Sequence, residues 1–290
     1  MAEQRSIVIG GLPGSGKTTF LAALWHLVIG REIPTKLGFH SLPDGDSTYL
    51  NQIARVWRSA KVQGRTLVGS PKLVNMNLRD GAGNLVRLTF PDLSGESYRR
   101  MWEDRECDLD VAAILRKGTG ILLFVHADRI QPPLWAGDVT ALAKRLGLPV
   151  QDGLPVAWHP RLAPTQVQLV ELLQLLRSTP LDVGPRRLAV MLSAWDKVAP
   201  EGRSPAEFLA ERMPLLQQYL SFAELGHPWR VFGVSAQGCD YEPEPEAKAS
   251  WSKDEVDAVL KLDQPSERIK LISDGVLSHD LTEPIEWLMG

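Results

Sequence analysis

Gly11-Leu12-Pro13-Gly14-Ser15-Gly16-Lys17-Thr18 stands between a β-branched apolar run (Ile7, Val8, Ile9) and an apolar stretch of helical character, Phe20 to Trp25. The pattern G-x-x-x-x-G-K-[ST] has a mechanical reason at each fixed position. Glycines let the backbone wrap with its N–H groups turned inward, toward a phosphate. Lys17 is placed to reach the outer two phosphates of a triphosphate, and the Thr18 hydroxyl to ligate Mg²⁺. The helix opening at Lys17 adds the positive end of its dipole. The expected contacts therefore run from Gly11, Gly14, Ser15 and Gly16 through Lys17, Thr18 and Thr19. A nucleoside triphosphate is the implied ligand.

Composition narrows the class. At 290 residues the chain is long enough for one large domain or two small ones. An apolar fraction of 44% supports a sizeable core. The net charge of −3 gives no sign of an extended nucleic-acid surface. Two cysteines, Cys107 and Cys239, are too few for a disulfide framework or a zinc site, and they suit a reducing cytoplasm. The polar start, Met1 to Ser6, is unlike a signal peptide, and no run approaches the roughly 18 apolar residues of a membrane span. A cytoplasmic protein is expected.

Strand-like and helix-like stretches alternate, which predicts a mainly parallel sheet with helices on both faces. The predicted strands are Ser6 to Gly10, Lys72 to Arg79, Leu85 to Phe90, Gly120 to His126, Leu188 to Leu192 and, as the last, Trp229 to Val234. Asp80-Gly81-Ala82-Gly83-Asn84 joins the second and third as a hairpin. Gly120 to His126 is continuously apolar, as a strand buried on both faces should be. Helices are predicted from Lys17 to Val28, through Leu50 to Trp57 behind a cap at Asp46-Ser47-Thr48, and over a charged stretch from Tyr98 to Arg116. Others run along a leucine-rich stretch after Pro164, from Ser204-Pro205 to Phe222, and from Leu281 to Leu288. Residues 31–45 and 64–70 read as loops. Residues 129–163 and 240–268 read as irregular insertions, the second with one short helix, in a single domain over residues 1–290.

Three strand ends carry further chemistry. Pro91-Asp92-Leu93-Ser94-Gly95-Glu96 follows the strand ending at Phe90. Open α/β sheets bind ligands at the carboxyl ends of their strands. A carboxylate at Asp92 could hold Mg²⁺ through water, and Gly95 offers a backbone N–H to the γ-phosphate. The strand at 188–192 runs into Ser193-Ala194-Trp195-Asp196-Lys197, and the strand ending at Val234 into Ser235-Ala236-Gln237.

With the phosphate loop, these stretches resemble the four motifs of the translation-factor-like (TRAFAC) class of P-loop GTPases, which includes Ras-type switches. Asp92-x-x-Gly95 matches D-x-x-G, Ser193 to Asp196 stands at N-K-x-D, and Ser235-Ala236-Gln237 stands at S-A-K. Order and strand-end placement agree for all four. The start from Ile9-Gly10-Gly11 to Trp25 resembles the bacterial double-GTPase and conflict-system branch, some of it linked to phage defence. The resemblance implies an α/β, three-layer P-loop NTPase of Ras-like form, with a mostly parallel sheet. It implies GTP/GDP and Mg²⁺ as ligands, GTP hydrolysis that is slow without a partner, and a protein effector or activator.

The resemblance also assigns roles. Asp196, with Lys197 beside it, would accept from the N1–H and exocyclic amine of guanine, a donor pair that adenine lacks. The Ala236 N–H, flanked by Ser235 and Gln237, would meet the guanine O6. Ser193 and Ala194 depart from the Asn and Lys of N-K-x-D. The family lysine lays its stem over the base, and Trp195, Lys197 or Gln237 are the candidates to replace it. Hydrolysis needs a water held in line, and Glu96 stands where the class places that residue. As a first-turn acid, Glu96 equally suits a solvated position. Arg65 is read as an internal arginine finger and Thr66 as the switch threonine that reads Mg²⁺ and the γ-phosphate, with Thr35 and Thr48 as rivals to Thr66. The charged stretch from Tyr98 to Asp110 would be the second switch, although an exposed helix with i,i+4 charge pairs fits the same residues. Trp102 is read as a core anchor or a partner contact. The histidines show no metal-ligand spacing. Two other readings stay open: an ATP-using P-loop enzyme or small-molecule kinase, which Ala194 favours, and a nucleotide-binding scaffold with little hydrolysis, which Glu96 permits.

Overall fold

The structure, a computed structural model, describes residues 5–62, 72–92, 100–133, 160–222, 226, 228–241 and 251–290. The chain begins with β1 (Arg5–Gly11), α1 (Lys17–Gly30), β2 (Gly38–Ser41), α2 (Thr48–Arg58), β3 (Lys72–Arg79) and β4 (Leu85–Asp92). It continues through α3 (Leu109–Lys117), β5 (Gly120–His126), α4 (Thr165–Leu175), β6 (Arg187–Ser193) and α5, a single turn (Trp195–Val198). Then come α6 (Pro205–Arg212), α7 (Pro214–Ser221), β7 (Trp229–Ser235), α8 (Lys253–Leu260), β8 (Lys270–Ser273), β9 (Val276–Ser278) and α9 (Glu283–Met289). The strands form one nine-stranded sheet in the order β2-β3-β4-β1-β5-β6-β7-β8-β9. The inner run β4-β1-β5-β6-β7 is parallel, and antiparallel pairs extend it on both sides.

Period-two alternation on the inner strands decides where the helices go. Ile7 and Ile9 of β1, Leu122 and Phe124 of β5, and Phe232 and Val234 of β7 pack with residues of α1, α2 and α9. Val8, Leu123, Val125 and Val231 point the other way, into residues of α3, α4, α6 and α7. Both faces are therefore dry, and the strands read as unbroken apolar runs. This is the expected three-layer α/β arrangement with a parallel core. On α2 the buried residues Leu50, Ile53, Ala54 and Trp57 recur at helical spacing. The Trp25 indole N–H donates to Asn51 Oδ1 at 2.9 Å and joins α2 to α1.

Several local readings need correction. The helix predicted from Ser204 to Phe222 is two helices. It opens with a capping box between Ser204 and Glu207, but Pro214 cannot donate to the preceding turn, and the chain breaks at Met213. The charged stretch from 98 to 116 is not one helix either. Helix at residues 100–103 ends in a turn with Arg105 at φ +60°, and α3 starts only at Leu109. Its charges accordingly pair outside i,i+4 spacing: Arg100 with Glu106 and Asp108, and Arg105 with Glu171 on α4. Trp102 is buried. β7 is not the last strand. Asp274-Gly275, both at positive φ, turn β8 into β9 as a two-residue hairpin. β2 lies in a region read as loop. The ends of the 129–163 insertion meet: the Gln131 N–H donates to Thr165 Oγ1 at 2.8 Å, and the Thr165 N–H to Gln131 O at 3.0 Å.

Gly233 of β7 makes room for Trp195. A Cβ there would lie 2.5 Å from the indole, which is 2% exposed and packed edge-on against Phe208. Gly233→Ala is expected to cost about 1–3 kcal/mol of stability. Thermal unfolding should show a midpoint lower by several degrees, and an unchanged midpoint would mean the ring is free to move.

Candidate nucleotide-binding site

The turn between β1 and α1 depends on three glycines. Gly11, Gly14 and Gly16 have φ of +139°, +70° and +83°, backbone that residues with a Cβ rarely adopt. At Gly11 space is as decisive as angle, because a Cβ would lie 2.4 Å from the Phe124 carbonyl oxygen on β5. Lys17 folds back over the turn. Its Nζ donates to Gly11 O at 2.9 Å, Leu12 O at 2.8 Å and Ser15 Oγ at 3.3 Å. The N–H groups of Gly14, Gly16 and Thr18 donate to no described residue. The first turn of a helix leaves such donors over. They lie beside a fixed ammonium and at the positive end of the α1 dipole, a donor set that can cradle a polyphosphate.

Parallel register brings the other motif-bearing strand ends to the same edge. Val8 pairs with Thr89, so three residues further on Asp92 comes level with Gly11. Gly11 pairs with Phe124, and His126, Ser193 and Val234 form one row across β5, β6 and β7. Asp92 is described by its backbone alone. Its place beside Gly11, with Thr18 as the second residue of α1, fits a hard cation held between hydroxyl and carboxylate oxygens. Among the described residues no cluster of three or more His, Cys, Asp or Glu side chains offers another metal site.

The β6 end is laced to the turn. Ser193 donates to Ser15 O at 2.9 Å, through the space that Gly16 leaves by lacking a Cβ. Ala194 follows in left-handed backbone, φ +53°. Trp195 does not replace the family lysine: its ring is drawn into the apolar layer under β7. Asp196, half-buried, sits on α5. Lys197 Nζ lies 3.0 Å from Asp240 and 3.4 Å from Asp128. Burial pulls its pKa down, the two carboxylates pull it up, and the net shift is upward, so the ammonium stays charged. Lys197 thus braces the segments after β5, β6 and β7 around Asp196.

The loop after β7 is held at each residue. Ser235 Oγ accepts the Gly238 N–H at 3.2 Å, Ala236 O accepts the Trp57 indole N–H at 2.8 Å, and Gln237 O accepts the Tyr241 hydroxyl at 3.2 Å. The Gln237 amide donates to Cys239 O at 3.4 Å. Burial raises the pKa of Cys239, to about 11, and that of Tyr241, and the Asp196 charge adds to both shifts. Asp196 and this loop therefore converge on one place.

Arg129 is a site residue that the motifs do not reveal. It ends a short 3₁₀ turn after β5, and its Nη1 lies 3.9 Å from where a Gly14 Cβ would stand. Its only sequence signal is a cation directly after a buried strand whose end faces the ligand edge. His126 sits at the same strand end. Burial, and next the Arg129 guanidinium, push its pKa down to about 4, so the imidazole is neutral near pH 7. Arg65, Thr66, Gly95 and Glu96 lie outside the described residues. Of the rival threonines, Thr35 donates to Leu37 O at 2.9 Å, and Thr48 opens α2.

A glycine turn closed by a lysine, at the carboxyl edge of a parallel core, defines a P-loop nucleotide-binding protein. The chain belongs to the Double-GTPase 1 family, which it matches over residues 8–288, and is thus a GTP-binding P-loop GTPase. Similar solved structures include the signal recognition particle receptor SRb in its GTP/SRX complex from Chaetomium thermophilum. It is 12% identical, with 84% of this chain and 94% of that chain covered and a TM-score of 0.36. Another is the ADP-ribosylation-factor-like GTP-binding protein, the small COPII coat GTPase Sar1, from Encephalitozoon cuniculi in complex with GDP. It is 14% identical, with 81% and 71% covered and a TM-score of 0.35. At these scores the likenesses add nothing to the family match. No curated protein matches the chain. Among the described residues no helix is long and apolar enough to cross a membrane.

His126 gives the site a pH signature. Its folded pKa, about 4, lies below the ordinary 6.5, so the unfolded chain binds the proton first. The stability that this group contributes is complete above pH 6.5 and is lost as pH falls toward 4. Asp128, Asp196, Arg129 and Lys197 supply the surrounding charge. His126→Gln should flatten this part of the stability–pH curve in denaturant titrations. A variant curve parallel to wild type over that interval would contradict the assignment.

Proposed function

We propose that the chain is a Mg²⁺-dependent GTPase that converts GTP and water to GDP and phosphate, and that it works as a switch read by a protein partner. One observation carries this reading. Lys17 is held by the carbonyls of Gly11 and Leu12 at the mouth of a left-handed glycine turn. The Asp196 and Ala236 loops stand at the same sheet edge. In this reading the residues form one domain, with insertions at 129–163 and 240–268.

Lys17 and the turn N–H groups would hold the β- and γ-phosphates, with Ser15 and Thr19 completing the wrap. Thr18 and Asp92 would hold Mg²⁺, which when bound neutralises charge on the phosphate oxygens. The Gly95 N–H and Thr66 would read the γ-phosphate. A water oriented by Glu96 attacks the γ-phosphorus, and its oxygen forms the new P–O bond. The bond to the β–γ bridging oxygen breaks, GDP departs, and the water's proton ends on the released phosphate. Arg65 would offset the developing charge. Arg129, beside Gly14, places a second guanidinium at the turn. Asp196 would accept from guanine N1–H and the exocyclic amine, and Ala236 would donate to O6.

Two measurements test this reading. Lys17→Ala is expected to remove most of the affinity for GTP in calorimetry with Mg²⁺ present; undiminished binding would rule out the role of the ammonium. Asp196→Asn should weaken GTP by about tenfold or more and improve binding of XTP, whose C2 carbonyl needs a donor. Equal wild-type affinity for ATP and GTP would count against Asp196 as the base reader.

A further inference from the structure

Trp57 lies on α2, outside every nucleotide motif, yet its indole N–H ends on the carbonyl of Ala236 at 2.8 Å. The ring is fully buried. Its backbone carbonyl accepts from Arg268 Nη2 at 2.5 Å, and the Arg268 guanidinium lies 3.6 Å from the centre of its ring. Arg268 itself is 3% exposed and forms no ion pair among the described residues. Burying a guanidinium is costly unless its surroundings compensate it. Here the compensation is the Trp57 face, the Trp57 carbonyl and, at 5.8 Å, the Tyr241 ring. Tyr241 in turn donates to Gln237 O. Gly238 packs directly on Arg268, where a Cβ would lie 2.9 Å from the Arg268 carbonyl oxygen.

These contacts surround one short loop. Two consecutive carbonyls, of Ala236 and Gln237, are each held by an aromatic donor, and both aromatics rest on the same arginine. Fixing a carbonyl fixes the peptide plane that carries it. The orientation of the Ala236 N–H then depends on Trp57 and Tyr241. We infer that Trp57 and Tyr241, locked by Arg268, are positioning residues that aim the Ala236 N–H at the six-position oxygen of the purine. The inference rests on the base-reading role proposed for Ala236. It makes α2, and not only the strand-end motifs, a determinant of guanine selectivity.

The test compares three triphosphates. GTP and ITP both carry the O6 acceptor; 2-aminopurine riboside triphosphate keeps the exocyclic amine but lacks O6. Trp57→Phe keeps a ring for Arg268 to stack on and removes only the N–H donor. Losing one aligned hydrogen bond should weaken GTP and ITP by about three- to tenfold, and leave the 2-aminopurine analogue within about twofold of wild type. Tyr241→Phe should give the same pattern, and it serves as the test if Trp57→Phe does not fold. A loss shared equally by all three nucleotides would mark a merely structural role and overturn the inference; so would no loss at all. Wild-type protein that binds the three equally would instead overturn the reading of Ala236, and this inference with it.

Discussion

Gly11 passes so close to β5 that nothing larger than hydrogen fits between them. That contact is the last rung of the β1–β5 ladder, Gly11 against Phe124. It anchors the start of the turn to the most buried part of the sheet. From there the path is constrained: Gly14 and Gly16 carry the left-handed backbone, and Lys17 closes the turn on the carbonyls it has just left. A side chain at Gly11 would push the turn off β5 and displace the lysine, the helix start and the N–H groups together. The phosphate chemistry proposed for this edge therefore rests on a steric fact about one residue.

The second layer of organisation is cross-lacing between strand ends. Ser193 reaches the turn from β6 because Gly16 leaves it room. Lys197 ties the segments after β5 and β7 to α5. Trp57 ties α2 to the loop after β7. Each link is a single hydrogen bond or ion pair, worth little if exposed. Their joint effect is geometric, since loops that grow from separate strands gain fixed relations to one another. Ala194 removes one cation from this edge, where the family has lysine. Arg129 and Lys197 bring two others, from β5 and from α5.

What could be read in advance followed from locality. The turn, the strand ends and the inner sheet were legible because each is a short run with its own period or spacing. Pro214 and Asp274-Gly275 were equally local signals, and they show how a strong pattern can mask a weak one: the apolar spacing on either side of Pro214 suggested one helix, and β8 and β9 are too short to show alternation. The site's supports were not legible. Ser193 and Ser15 are 178 residues apart, Trp57 and Ala236 are 179, and Arg268 and Trp57 are 211. No periodicity connects residues at such separations; the topology does. Trp195 was misplaced for a related reason. An aromatic beside a motif suggests stacking on a base, but Gly233 on a neighbouring strand had already made a slot for it.

The buried arginine explains why the base loop differs in character from the phosphate turn. The turn is shaped by what its glycines lack, whereas the loop after β7 is shaped by what supports it from below. Arg268 draws down the pKa of Cys239 and Tyr241 while the Asp196 carboxylate drives both upward, so the two charges act on the same groups in opposite directions. An apolar side chain at 268 could fill the space beneath Trp57, but it could not hold the Trp57 carbonyl or balance a carboxylate nearby. A lysine could supply the charge, but not a flat face to lie along the indole. The planar, permanently charged guanidinium meets all three demands at once, and this accounts for its burial without an ion-pair partner among the described residues.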